Sequence, residues 1–250
     1  MKPLIIANWK ANPSTAAEAV SLARKIELEI SKSRNVEVVV APPFPYLIPV
    51  KQALKKSKLG AQDVFWAGGP YTGEVSPAEL KNMGVKYVIV GHSERRIHLG
   101  ESDELINKKI ISLLGDGISP ILCVGERENN DDALRMVGEQ IQKALAGVKK
   151  NRLRKLIIAY EPVWAISTTR GSNPDTPDNA FKAMLFIRRK VGGLFGRERA
   201  DLVRIIYGGS VNSQNIASFL REGRMDGALV GGASLDPQES ASLVKNAAAA

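Results

Sequence analysis

The stretch "AYEPVWAIS", residues 159 to 167, runs from strand formers into a carboxylate, Glu161, and then directly into Pro162. Proline has no backbone N–H and a fixed φ, and it biases the residue before it towards extended geometry. Glu161 is therefore predicted at the last position of a strand, a fixed post from which a carboxylate can take up a proton. Other apolar runs end in chemistry-bearing residues as well: Asn8 and Lys10 in "NWK", His92 and Glu94 in "HSERR", and Glu126 in "CVGE". Taken singly, a strand-end glutamate can cap a loop and a histidine can be a satisfied core residue. Together, a carboxylate, an imidazole and an ammonium are the inventory for moving a proton beside a carbonyl. "HSERR" places the imidazole where a helix is predicted to begin, and the positive end of a helix disfavours imidazolium. A neutral imidazole can donate a hydrogen bond to a carbonyl oxygen.

Two further runs end in paired glycines, Gly208 and Gly209 in "YGGSV" and Gly231 and Gly232 in "VGGAS". Glycine lets the backbone approach an anion and present its N–H groups, and Ser210 adds a hydroxyl. One such pair is usually a turn. Two at matching strand ends point to a phosphate-binding site.

The elements that must position these groups recur regularly. Apolar runs are "PLIIANW", "VEVVVAPP", "KLGAQD", "KYVIVGH", "SPILCVGE", "KLIIAYEP", "VRIIYGGS" and "DGALVGG". Helical stretches lie between them, including "TAAEAVSLARKIELEIS" with Thr15 and Glu18 in capping-box spacing, "SDELINKKIISLLGDG" and "DDALRMVGEQIQKAL". "DPQES" announces the last helix, with a cap at Asp236. Strands that are apolar almost throughout are buried on both faces, and βα alternation requires a parallel sheet. Eight units in 250 residues fit a single (β/α)8 barrel domain over residues 1–250. An open doubly wound sheet is the competing architecture. In a parallel barrel every strand's C-terminal end faces one mouth, so residues distant in sequence converge there.

Composition, 44% hydrophobic and 24% charged, is that of a globular protein with a sizeable core. The opening "MKPLIIANWKANPS" has too brief an apolar run for a signal-peptide core, and no stretch reaches membrane-spanning length, so the expected location is the cytoplasm. Cys123, the single cysteine, lies in "PILCVG" and is expected to be a buried thiol. With two histidines, one cysteine and no paired ligand spacing, neither a metal nor another cofactor is expected. The net charge of +9 raises the question of an anionic partner. The basic stretches "KALAGVKKNRLRK" and "RRKVGGLFGRERADLVR" fall where helices are predicted to end, which assigns their cations to helix C-termini. Aromatics do not interleave with them, so no nucleic-acid partner is expected.

"NWK" at 8–10, "YVIVGHSERR" at 87–96, "GESDELI" at 100–106, "AYEPVWAI" at 159–166, "YGGSV" at 207–211 and "LVGGASL" at 229–235 together resemble the triosephosphate isomerase family. The resemblance spans nearly the whole chain and implies a TIM barrel that interconverts dihydroxyacetone phosphate and glyceraldehyde 3-phosphate through an enediolate. It implies Glu161 as the base, His92 as the group polarising the carbonyl, Lys10 with Asn8 as the substrate-binding cation and its neighbour, and Glu94 as a buried polar partner of the lysine. Carboxylate base with neutral histidine is a pairing for which this family is itself the standard example. Glu126 and Trp164 are implied supports of a lid hinge at "PVW", and Ser167, Ser210, Gly231 and Gly232 are implied phosphate ligands. A closed lid keeps water out and the enediolate from expelling its phosphate.

The lid tip departs from the family's "AIGTGK", reading "AISTTRGSNPDTPDNA" with Ser167 and Thr169 in place of glycines. A β-branched Thr169 resists φ > 0, and Gly171 can relocate the hinge. "FWAGGPYTGEVSP", residues 65–77, resembles the family's dimer loop, with Thr72 reaching a second subunit, which implies a homodimer. Arg95 and Arg96 are expected to be ion-pairing groups and His98 a surface or interface residue. Two rivals remain at this stage. A glycoside hydrolase would use Glu94 and Glu161 as its carboxylate pair, and a binding barrel would use the positive charge alone.

Overall fold

The computed structural model describes residues 1–30, 33, 35–128, 130, 132–166 and 174–250. Its strands are β1 (Leu4–Asn8), β2 (Glu37–Ala41), β3 (Lys58–Ala61), β4 (Tyr87–Val90), β5 (Ser119–Val124), β6 (Ile157–Tyr160), β7 (Arg204–Tyr207) and β8 (Gly227–Val230). Each lies within one of the eight apolar runs. All neighbours pair in parallel, and β1 closes on β8 with Ile5 opposite Ala228, so the sheet is a closed barrel and not an open doubly wound sheet.

Closure explains the continuous apolar runs. Leu4, Ile6, Val39, Ala41, Ile89, Ile121, Ile157, Ile206 and Leu229 pack with one another in one cluster inside the barrel. Alternate residues such as Ile5, Ala7, Val38 and Val40 pack outward in a second cluster with the helices. The N-terminal end of the barrel is plugged by polar groups. Glu37 accepts from Lys58 Nζ at 2.6 Å, Tyr87 OH at 2.6 Å and Arg204 Nη1 at 2.8 Å.

Local signals set the helix ends. Thr15 and Glu18 form the reciprocal capping pair ahead of the helix Ala16–Ile30. Ser102 caps Asp103–Asp116, which ends at Gly117 in the left-handed conformation. Asp236 caps Pro237–Ala249.

The helix-end assignment of the two basic stretches holds in part: Arg152, Arg154 and Lys155, and Arg197 and Arg199, lie in the last turns of short helical segments before β6 and β7, not at the ends of the long helices. The last turn of Pro177–Phe195 contains no cation, and that of Ala133–Ala144 contains only Lys143. The cations beyond them occupy turns of their own, a 3-10 turn at Lys150–Lys155 and a single helical turn at Arg197–Ala200. Among the described residues no helix is long and apolar enough to cross a membrane.

Candidate active site

The site is built where the strands end. β1 stops at Asn8, and two residues later Lys10 adopts φ +51°, a strained value for a side chain with a Cβ. Neighbours hold it there: Asn8 Oδ1 accepts from Lys10 N–H at 3.0 Å, and Gln62 Nε2 donates to both Lys10 O and Ala41 O. The ammonium then lies 2.5 Å from Glu94 Oε1. Glu94 does partner the lysine, but its side chain is 40% exposed in the single chain, not buried as the family resemblance implied.

His92 follows β4 and Gly91, whose φ of +70° strains any residue with a Cβ and where an added Cβ would stand 2.7 Å from Ile106 Cδ1. It stands at the N-cap of the helix Ser93–His98, and its Nδ1 accepts from Glu94 N–H at 3.3 Å. With Nδ1 accepting, the ring proton belongs on Nε2. Nε2 lies 3.3 Å from Glu161 Oε1.

Glu161 follows β6, its N–H donating to Val124 O at 2.7 Å. The side chain is only 2% exposed. Oε2 accepts from Ser93 N–H at 3.0 Å, while Oε1 is a buried acceptor with no hydrogen-bond partner among the described residues. Two glycines allow this placement. A Cβ on Gly125 would stand 1.8 Å from Glu161 O, and one on Gly208 would stand 2.7 Å from Glu161 Cγ. Beneath the carboxylate, the buried Cys123 thiol is pushed well above its ordinary range, first by burial and then by the charge of Glu161, so it stays an S–H.

A cavity of about 230 Å³ joins Asn8, Lys10 and His92 to Gly208–Asn212 and Gly231–Ala233. Every phosphate-loop glycine predicted from the sequence lines it. Gly232 opens the 3-10 turn Gly232–Leu235, whose first N–H groups have no partner within the turn. Ser210 also lines the cavity, but its hydroxyl donates to Ala165 O at 2.8 Å.

A profile of the triosephosphate isomerase family matches residues 3–247. The chain belongs to the triosephosphate isomerase family. It is 49% identical over 250 residues to the triosephosphate isomerase of Carboxydothermus hydrogenoformans, covering 98% of each chain. Identity to the Thermoanaerobacter sp. (strain X514) enzyme of that name is 45%, over 97% of this chain and 98% of the relative. For Dictyoglomus thermophilum it is 42%, over 98% and 99%.

Glu126 and Trp164, the implied hinge supports, are in direct contact. Glu126 Oε1 accepts from both Tyr160 OH and Trp164 Nε1, each at 2.8 Å, and Glu126 O accepts from Val163 N–H. Ser167, Thr169 and Gly171 lie outside the described residues. On the far side, Tyr207 OH donates to Asp175 Oδ2 at 3.1 Å, and burial raises the Asp175 carboxyl. Arg95 pairs with Asp63 and Glu101, and Arg96 with Asp103, as expected of structural arginines. His98 is exposed. Among the described residues there is no cluster of three or more metal-ligating side chains.

Sequence reading missed the groups that act through backbone or contact. The N–H of Ser93 carries no side-chain signal. In the sequence Gln62 stands at the end of an apolar run, and Gly125 is simply the glycine of "CVGE". The one available signal for Gly125 was a glycine directly after an apolar strand, which marks close backbone approach.

Proposed function

We infer that this chain is a triose-phosphate isomerase of glycolysis and gluconeogenesis, interconverting dihydroxyacetone phosphate and D-glyceraldehyde 3-phosphate through an enediolate. One observation carries the site assignment: a buried carboxylate oxygen without a hydrogen-bond partner, Glu161 Oε1, lies 3.3 Å from Nε2 of His92, and it is His92, not Glu161 itself, that lines the glycine-walled cavity. An acceptor in that state is suited to taking a proton from a carbon acid.

In the forward direction Glu161 removes a proton from C1 of the ketose and returns it to C2. His92 donates its Nε2 hydrogen bond to the carbonyl oxygen as negative charge develops, then passes protons between the two oxygens. Lys10 offsets that charge, and Asn8 holds its backbone. Ser167, Ser210, Gly231 and Gly232 bind the phosphate. Proton removal and return balance within the substrate, so no cofactor is consumed. Residues 1–250 act as one catalytic domain in the cytoplasm.

The active unit is a homodimer. A second, largely apolar cavity of about 480 Å³ borders Lys10, His92 and Glu94 and includes Phe44 and Leu99. Leu99 is 66% exposed and Phe44 37%, so an apolar face borders Lys10 and the open side of Glu94. The loop at 65–77 presents the matching piece. Phe65, Trp66 and Tyr71 cluster at its base, with ring centroids 3.7 and 4.6 Å apart, and Thr72 is exposed at its tip. Seating Thr72 of a second copy in this cavity would bury Glu94.

A coupled isomerase assay in both directions tests the reading. The parent should turn over both triose phosphates, while Glu161→Gln and His92→Ala should lose about 10²- to 10⁴-fold in kcat with folding retained. A parent inactive on both would reject it.

A further inference from the structure

The barrel end opposite the mouth carries most of the chain's unexplained charge. The turn Lys150–Lys155 leads into β6, and the turn Arg197–Ala200 leads into β7, its paired neighbour. The two turns pack against each other. Residues 149–155 and 197–201 hold seven cations against two carboxylates, an excess larger than half the net +9.

Structural needs at this end are already met by other residues. Leu153 and Ala200 are buried and seat the two turns. Lys155 Nζ donates to Gly117 O at 2.5 Å. The carbonyls closing the second turn are taken by Arg188, which donates to Ala200 O at 2.7 Å and Val203 O at 2.6 Å. That leaves Arg152, Arg154, Arg197 and Arg199. All four are exposed, and among the described residues their guanidinium groups have no ion pair or hydrogen bond. Four guanidinium forks without an ion partner among the described residues, on two short turns that pack against each other, concentrate like charge on one face. Their planar donors match phosphate oxygens.

We propose that this end of the barrel binds the phosphate backbone of duplex nucleic acid, without sequence preference and independently of the isomerase site. The chemistry of the patch selects that partner. Neither segment contains an aromatic residue, so the base stacking that single strands require is missing, which is why the sequence predicts no nucleic-acid partner; duplex phosphates need no such stacking. Each turn is too short to lay an amphipathic apolar face into a lipid surface. Rows of arginines without base-reading groups bind by counterion release.

The test is fluorescence anisotropy of a labelled mixed-sequence DNA duplex titrated with the full chain at 50 and 200 mM salt. The parent should bind at 50 mM and lose about 10³-fold in affinity by 200 mM. The variant R152Q/R154Q/R197Q/R199Q should reduce the salt slope by about 3 to 4, with isomerase turnover unchanged. A charge-matched control, K25Q/K81Q/R135Q/K245Q, removes four exposed cations elsewhere and should bind as the parent does. Equal losses in both variants would mean that net charge alone is responsible and would overturn the proposal. So would absence of duplex binding by the parent at 50 mM salt, or binding to phosphatidylserine vesicles in preference to the duplex.

Discussion

Ser93 N–H donates to Glu161 Oε2 at 3.0 Å while His92, the residue before it, places Nε2 3.3 Å from Oε1. One dipeptide at the end of β4 thus faces both oxygens of a carboxylate presented by β6, hydrogen-bonding Oε2 alone, and backbone geometry registers the carboxylate against the imidazole. Position 93 is the first residue of its helix, where proline is tolerated, and His92 at ψ 141° already has the extended geometry that a following proline requires. Ser93→Pro therefore deletes the donor with little else changed. It should destabilise the fold by about 1.5–3 kcal/mol in urea unfolding, the range for a hydrogen bond to a charged group. Ser93→Ala keeps the N–H and should stay within about 0.5 kcal/mol of the parent.

Gly208 was expected from the sequence to serve phosphate, and the structure gives it a second duty. Its Cα faces Glu161 Cγ so closely that a Cβ would stand 2.7 Å away. Gly208→Ala must push the base aside. A displacement near 1 Å at a reacting group costs about 10²-fold, so kcat in the coupled assay should fall by that order. Gly193→Ala, in the helix Pro177–Phe195 and away from the cavity, where a Cβ meets nothing within 4 Å, should leave turnover nearly unchanged.

That contrast shows what the sequence could and could not display. Strand placement was legible because β1 and β8 are apolar on both faces, and Glu161 was legible because a proline follows it. Gly125 and Gly208 were visible as glycines, but the neighbour each must admit is set by the pairing of β5, β6 and β7, which no local pattern records. The exposure of Glu94 and the purpose of Ser93 N–H likewise depend on distant chain segments. The basic turns were legible only in part, for a related reason. Cations after an apolar periodic stretch look like a helix terminus, yet the helix Pro177–Phe195 ends before Gly196, and Arg197 begins a new turn.

The polar plug at the barrel's closed end should govern acid stability. Burial disfavours the charged form of Glu37, but hydrogen bonds from Lys58, Tyr87 and Arg204 outweigh it and hold the carboxyl at about 2. A carboxylate with a depressed folded pKa contributes stability above its unfolded value of 4.5, and this is lost as pH falls towards 2. Urea midpoints of the parent and Glu37→Gln should differ most at pH 6 to 7. The gap should narrow steadily between about pH 4.5 and 2; a gap constant across that window would show that Glu37 acts by shape and not by charge.

The proposed dimer makes activity depend on association. Tyr71 is 43% exposed beside Thr72, at the tip expected to enter the second copy. Thr72→Arg should place a cation near the partner's catalytic lysine and split the dimer. Sedimentation velocity should then give a monomer, with kcat/KM reduced by at least about tenfold because Lys10 and Glu94 lose their cover. A fully active monomer would refute the loop's role.

Glu126 separates hydrogen bonding from charge at the hinge. A single oxygen, Oε1, accepts from both Tyr160 OH and Trp164 Nε1, while Oε2 is buried without a partner among the described residues. Glutamine can present its one carbonyl oxygen to both donors and put its amide where Oε2 stood, so Glu126→Gln should cost under about 1.5 kcal/mol. Glu126→Ala strands two donors and opens a cavity, and should cost about 2–5 kcal/mol. If Trp164 begins a lid, as proposed for this family member, the alanine variant should also shift tryptophan emission to the red and lower kcat more than it raises KM. If Glu126→Gln were instead as damaging as Glu126→Ala, the negative charge itself would be what holds the hinge.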